Sequence, residues 1–186
     1  LMIKIISITS FPIILLYVFI RTYSENNIYT PDYKLILSDG KFEIRNYNKI
    51  NLISTSNNLP YKEATYSGFR VLANYIFGNN EINQKIPMTA PVITSMPNEN
   101  KIDVSFIIDP NYSINNMPIP NTNRINFSEI ALGKTLVVKF GGWATEKKIN
   151  KMKIKLEKYL LKNSIEYTAK FFVAQYNSPW ILPPFR

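Results

Sequence analysis

Gly68-Phe69-Arg70-Val71-Leu72-Ala73-Asn74-Tyr75-Ile76-Phe77-Gly78-Asn79-Asn80, followed after four residues by Lys85-Ile86-Pro87-Met88-Thr89-Ala90-Pro91-Val92, is the stretch on which the fold turns. The first run is the end of a helix predicted over Tyr61 to Phe77. Pro60 sits where a first helical position tolerates it, because its missing N–H would find no helical partner there. Ala64, Leu72, Tyr75 and Ile76 fall near one face, and Gly78 with two asparagines closes the helix in the manner of a left-handed cap. The second run cannot be a helix interior. Its two prolines, four apart, also confine any sheet pairing to an edge or a bulge. Met88 and Val92 are expected to pack inward. Lys85 and Thr89 invite a catalytic reading, but no carboxylate pair or phosphate-cradling glycine loop accompanies them.

Upstream of this stretch, Lys34–Leu37 and Phe42–Tyr47 read as strands around the turn Asp39-Gly40, and Ile50–Ser56 continues as strand. Glu43 and Arg45 share one strand face, as a salt bridge or a solvated pair rather than acid–base machinery. Downstream, Ile93–Met96 and Val104–Ile108 are strand-like, and 109–123 is a loop rich in proline and asparagine. Ile125–Ile130 and Thr135–Phe140 look like two strands with a turn at Gly133. A second helix begins near Thr145, a good N-cap, with Ile149, Met152, Leu156 and Tyr159/Leu160 on one face. Ile165–Tyr176 reads as strand, with a break near Glu166. Strand–strand–helix–strand–strand thus occurs twice, without residue-level repetition. Two amphipathic helices must each bury one stripe, so the economical arrangement is α+β, both helices on a shared, mostly antiparallel sheet. A cleft between helix and sheet is then the natural place for a flat apolar ligand.

Composition narrows the chemistry. The chain has 186 residues, 46% of them hydrophobic, and contains neither cysteine nor histidine. Disulfides, the usual zinc sites, Ser-His-Asp triads and Cys-His nucleophiles are excluded, and so is the commonest axial ligand of haem iron. The net charge is +9. Much of it lies between Lys147 and Lys162, where seven lysines oppose Glu157, as on a solvated helix face. No helix-turn-helix pattern supports a nucleic-acid partner. A monomer is expected.

Ahead of the domain, Lys4 precedes a largely apolar run, Ile5 to Ile20, closed by Arg21. As a helix it would span roughly 24 Å, short of a bilayer core of about 30 Å. Residues 1–21 are therefore read as a signal peptide or a signal anchor, with cleavage and retention both open, and 22–32 as a linker. The expected location is exported or membrane-anchored.

Several stretches resemble the SOUL/haem-binding-protein family. Phe42-Glu43-Ile44-Arg45-Asn46-Tyr47 is similar to its "yEvRxY" strand, and Gly68 to Asn80 to its "gFxxLxxYIfGxN" helix and cap. Lys85 to Val92, KIPMTAPV, resembles its most distinctive motif, "kIxMTaPV". Phe140-Gly141-Gly142-Trp143-Ala144 and Tyr176-Asn177-Ser178-Pro179-Trp180 are similar to "FsGxa" and "YnpPw". The likeness runs from about residue 30 to 186, so 33–186 is read as one SOUL-like domain, with a further C-terminal strand expected beyond Arg186. The resemblance implies a distorted, mostly antiparallel β-barrel-like sheet with two helices packed on it, built from two βαββ halves. The same fold is implied for effector-binding domains of bacterial regulators.

The resemblance also implies haem or another tetrapyrrole as ligand, in an apolar groove beside the first helix. Position within that helix puts Tyr66, Phe69, Arg70, Ala73 and Asn74 near the groove. Aromatic side chains suit the macrocycle's faces, and Arg70 at the rim could bind propionates by charge-assisted hydrogen bonds. Without histidine, only Tyr66 and Met88 are named as weak axial ligands, so binding is expected to be mainly hydrophobic and tolerant of the metal. The leading expectation is a non-catalytic tetrapyrrole carrier. An effector-sensing or protein-interaction module and a tetrapyrrole-modifying enzyme are the alternatives.

Overall fold

The computed structural model describes residues 28–97 and 99–176. The expected leader (1–21), most of the linker, and the stretch 177–186 with Trp180 lie outside the described residues. Six strands are seen: β1 (Tyr33–Asp39), β2 (Phe42–Asn57), β3 (Val92–Thr94), β4 (Ile102–Ile107), β5 (Asn126–Val138) and β6 (Val173–Gln175). Two helices, α1 (Tyr61–Ile76) and α2 (Glu146–Lys162), interrupt them. All paired strands run antiparallel. They form one α+β sheet curled into a half-barrel, as expected.

β2 organises the sheet. β5 lies along one edge of it, pairing from Phe42↔Val138 to Ser54↔Asn126. Its other edge is shared: β1 pairs with Phe42–Tyr47 and β4 with Leu52–Asn57. β3 and β6 extend the sheet beyond β4. The hairpin at Asp39-Gly40 forms as predicted, Gly40 taking φ +57°.

α1 packs on β2 and β4. Ile53, Leu72, Tyr75, Ile76, Val104 and Phe106 make the centre of the main core. Gly68 permits the close approach, since a Cβ there would lie 2.6 Å from Val104 Cγ2. The helix ends on Gly78 at φ +112°. Beyond it the buried Asn80 donates to the carbonyls of Tyr75 and Gln84. KIPMTAPV is structural: Thr89 donates from its hydroxyl to the Ile107 carbonyl, and Met88 and Val92 pack against the main core. Tyr29 bridges to Thr89 and accepts from Ala90 N–H, tying the chain before β1 to this motif.

Two expectations are corrected. Ile125–Ile130 and Thr135–Phe140 are not separate strands around a turn at Gly133. They belong to the single strand β5, whose register with β2 holds on both sides of that glycine. Gly133 has φ +55°, a conformation glycine adopts without strain. It bends the strand rather than reversing it. Arg45 and Ile50, of opposite parity on β2, both line the same cavity, so the strand faces exchange around Asn48 and Leu132. The strand expected over Ile165–Tyr176 is also shorter, because only β6 pairs. Before it, Ser164 takes φ +51°, and Tyr167 and Phe171 pack edge to face, centroids 6.0 Å apart, in irregular backbone.

Candidate functional site

Helical spacing sorts the five predicted site residues into two rows on α1. Tyr66, Arg70 and Asn74, four apart, form an exposed row. Tyr66 is 67% exposed, and the Arg70 guanidinium carbon lies 5.9 Å from its ring centroid. Phe69 and Ala73 form the adjacent row, turned to the sheet. Phe69 is half-buried, edge-on to Phe106 at 5.3 Å, and Ala73 is buried. The structure thus brings Tyr66 and Arg70 together and commits Phe69 partly to the core. Met88 is half-buried against that core.

The opposite face of the sheet encloses a cavity of about 660 Å³. Phe106 faces α1, while its neighbour Ile107 packs with Ile50 and Leu52 on the other side. β5 behaves likewise, with Phe127 toward α1 and Ile130 and Leu132 toward the cavity. α2 and the segment leading into β6 cover the cavity through Met152, Leu156 and Phe171. Here the apolar stripe of α2 has a different fate from that predicted. Ile149 and Leu160 are buried, but Met152 and Leu156 remain half-buried because they face the hollow.

One end of the cavity is polar. The buried Arg45 donates from Nε and Nη2 to Glu43 Oε2, at 2.8 and 2.6 Å. Its Nη1 donates to the Tyr47 hydroxyl at 2.9 Å, and its guanidinium carbon lies 4.1 Å from the Tyr33 ring centroid. Lys139 pairs with the other carboxylate oxygen of Glu43. Hydrogen bonds from Lys139 and Arg45 hold the Glu43 carboxyl below its ordinary range against the opposing effect of burial. Burial also works against the charge on Arg45, but the Tyr47 hydroxyl and Glu43 outweigh it and raise its pKa. Tyr176 reaches the same cluster. Burial, reinforced by Tyr47, pushes its phenol up to about 12. The predicted salt bridge exists, but buried.

None of the five predicted residues lines this cavity. Sequence reasoning did not single out Tyr33, Tyr47, Ile130, Leu132 and Tyr176, which line the cavity. The available signal was the polar alternation Glu43, Arg45, Tyr47 on a strand otherwise destined for burial. Among the described residues, no group of three or more His, Cys, Asp or Glu could hold a metal ion. None of the described helices is long and apolar enough to cross a membrane.

The family model described as "SOUL heme-binding protein" matches residues 28–186. This chain belongs to the SOUL family. Human heme-binding protein 2 is 30% identical over 148 residues, covering 75% of this chain and 72% of the human protein. The mouse heme-binding protein 2 is 30% identical over 151 residues, 77% of this chain and 73% of its own length. Heme-binding protein 1 of Xenopus laevis is 32% identical over 112 residues, 56% and 58% of the two chains. A solved hydrolase from Listeria innocua aligns over 84% of this SOUL protein and 91% of its own chain. Its TM-score of 0.45 and 9% identity make it too distant to bear on function.

For a tetrapyrrole, the donor set of this SOUL protein fits the macrocycle better than the iron. Tyr66 and Arg70 offer an aromatic face and a cation side by side on α1, while the chain supplies no imidazole or thiolate.

Proposed function

We propose that this SOUL protein is a non-catalytic carrier of haem or a related tetrapyrrole, bound against the exposed row Tyr66, Arg70 and Asn74 of α1, with Phe69 and Ala73 beneath it as the apolar floor. The observation that supports it most is the exposed Tyr66–Arg70 pair, together with membership of a family described by haem binding. The Tyr66 ring lies against the macrocycle, each Å² of apolar surface removed from water contributing about 25 cal/mol. Arg70 pairs with a propionate at the edge, and Asn74 adds a neutral hydrogen-bonding group. Tyr66 or Met88 is at most a weak axial ligand. With the apolar segment Ile5–Ile20 ahead of the domain, the carrier works outside the cell or at a membrane.

Titrating the purified protein with haemin and with metal-free protoporphyrin tests this. Both should bind with similar affinity. Arg70→Glu should weaken both about tenfold, the loss of one charge-assisted hydrogen bond, and should weaken a porphyrin with esterified propionates much less. A strict metal requirement would point to an axial ligand other than these residues. Absence of binding would favour an effector-sensing module, and release of a modified tetrapyrrole over time would favour an enzyme.

A further inference from the structure

A second region of the molecule asks for a ligand independently of α1. The cavity on the opposite face of the sheet follows β5 from Ile130 to Val138, about 25 Å of extended chain. This hollow of about 660 Å³ forms a trough with room for an extended alkyl chain. Its walls are largely apolar, with aliphatic side chains at Ile50, Ile93, Ile107, Ile130, Leu132 and Leu156 and aromatic ones at Phe140, Phe171 and Phe172. The half-buried Met152 and Leu156 show that α2 closes over the hollow without filling it.

The charge at the polar end is unbalanced. Arg45 and Lys139 share a single carboxylate, Glu43, so the cluster keeps one positive charge in excess. The excess sits on Lys139, whose side chain is 58% exposed at the mouth, while Arg45 and Glu43 form a buried pair, and no Asp or Glu among the described residues lines the trough. The hydroxyls of Tyr47 and Tyr176 gather at the same place and can donate to an anion. A second cavity, of about 830 Å³, shares Val138, Lys139, Phe140 and Met152 with the first. Six lysines line it against one acid, Asp39, so the approach to the polar end is electropositive.

From this geometry we infer that the trough is a binding site for an amphiphile with one carboxylate and a long alkyl chain, its carboxylate at Arg45, Tyr47 and Tyr176 and its tail along Ile130 and Leu132. This ligand is separate from the tetrapyrrole on α1, since none of Tyr66, Phe69, Arg70, Ala73 and Asn74 lines the trough.

The test uses the full chain and a fluorescent C16 alkyl carboxylate, with the matching alcohol and alkyl trimethylammonium as controls. The carboxylate should bind one to one, at least tenfold tighter than the alcohol, and the ammonium should not bind. Arg45→Gln should abolish the preference for carboxylate over alcohol. Leu132→Trp, which fills the trough, should remove binding of both while the protein still melts cooperatively. Arg70→Glu should change none of this. Should Arg45→Gln fail to fold, the carboxylate preference of the unaltered protein and the Leu132→Trp result decide. Equal binding of carboxylate and ammonium, or no binding of the carboxylate, overturns the inference. So does competition by protoporphyrin that is lost in Arg45→Gln, because the trough would then be the tetrapyrrole's own site. Failure of porphyrin binding with the carboxylate still bound would sink only the carrier reading.

Discussion

At the scale of single residues, Gly68, Glu43 and Tyr75 carry distinct burdens. Gly68 lets α1 sit on β4, and a methyl group there meets Val104 at 2.6 Å. Gly68→Ala should therefore cost about 1–3 kcal/mol, the usual range for overpacking, in a urea titration. Helix propensity alone would have given the opposite sign. The carboxyl of Glu43 is lowered by Lys139 and Arg45, so the folded protein resists protonation that the unfolded chain accepts. Its contribution is complete above the ordinary glutamate value of about 4.3 and fades as pH falls through the lower folded value. Urea midpoints measured from pH 7 to pH 3 should drop less steeply in Glu43→Gln than in the parent, from a lower starting stability. Burial pushes the phenol of Tyr75 up to about 12, and its hydroxyl donates to the Pro118 carbonyl at 2.7 Å. Tyr75→Phe leaves that carbonyl unpaired and should cost about 1–3 kcal/mol.

Among the elements, the helices were the most legible in the sequence, for unequal reasons. The apolar stripe of α1 met a solid core, so its period and its burial agree. The stripe of α2 was equally clear, yet half of it faces a hollow, and periodicity cannot tell a packed neighbour from an empty one. This difference is measurable. Leu72→Ala in α1 should cost about 2–5 kcal/mol, whereas Met152→Ala and Leu156→Ala should each fall below that range, since partly exposed atoms forfeit less on removal. β5 shows the reverse failure. Gly133 has the composition of a turn, but pairing with the long partner β2 continues on both sides of it, and no local pattern announces a partner 86 residues away, Tyr47. The resemblance pointed to α1 because its motifs are local. Arg45, Leu132 and Tyr176 come from three distant segments, and only the folded sheet assembles them.

For the whole molecule, the net charge of +9 should make capture of any anionic ligand sensitive to salt. Association rates for haemin should fall markedly between 50 and 500 mM NaCl, as the screening length shrinks below the dimensions of the protein, while dissociation rates should change much less. Stopped-flow quenching measures both. A deeper property follows from β2, which is bordered by three other strands along its sixteen residues. Over Phe42–Tyr47 and Leu52–Ser54 it has a neighbour on each side and no free margin from which to unzip. Each amide is released only when the strand it bonds to detaches, and for those bonded to β4 and β5 that is close to complete unfolding. In deuterium exchange, the amides bonded to those neighbours should be the last to be replaced, and the short outermost strand β6 should lose its protons long before.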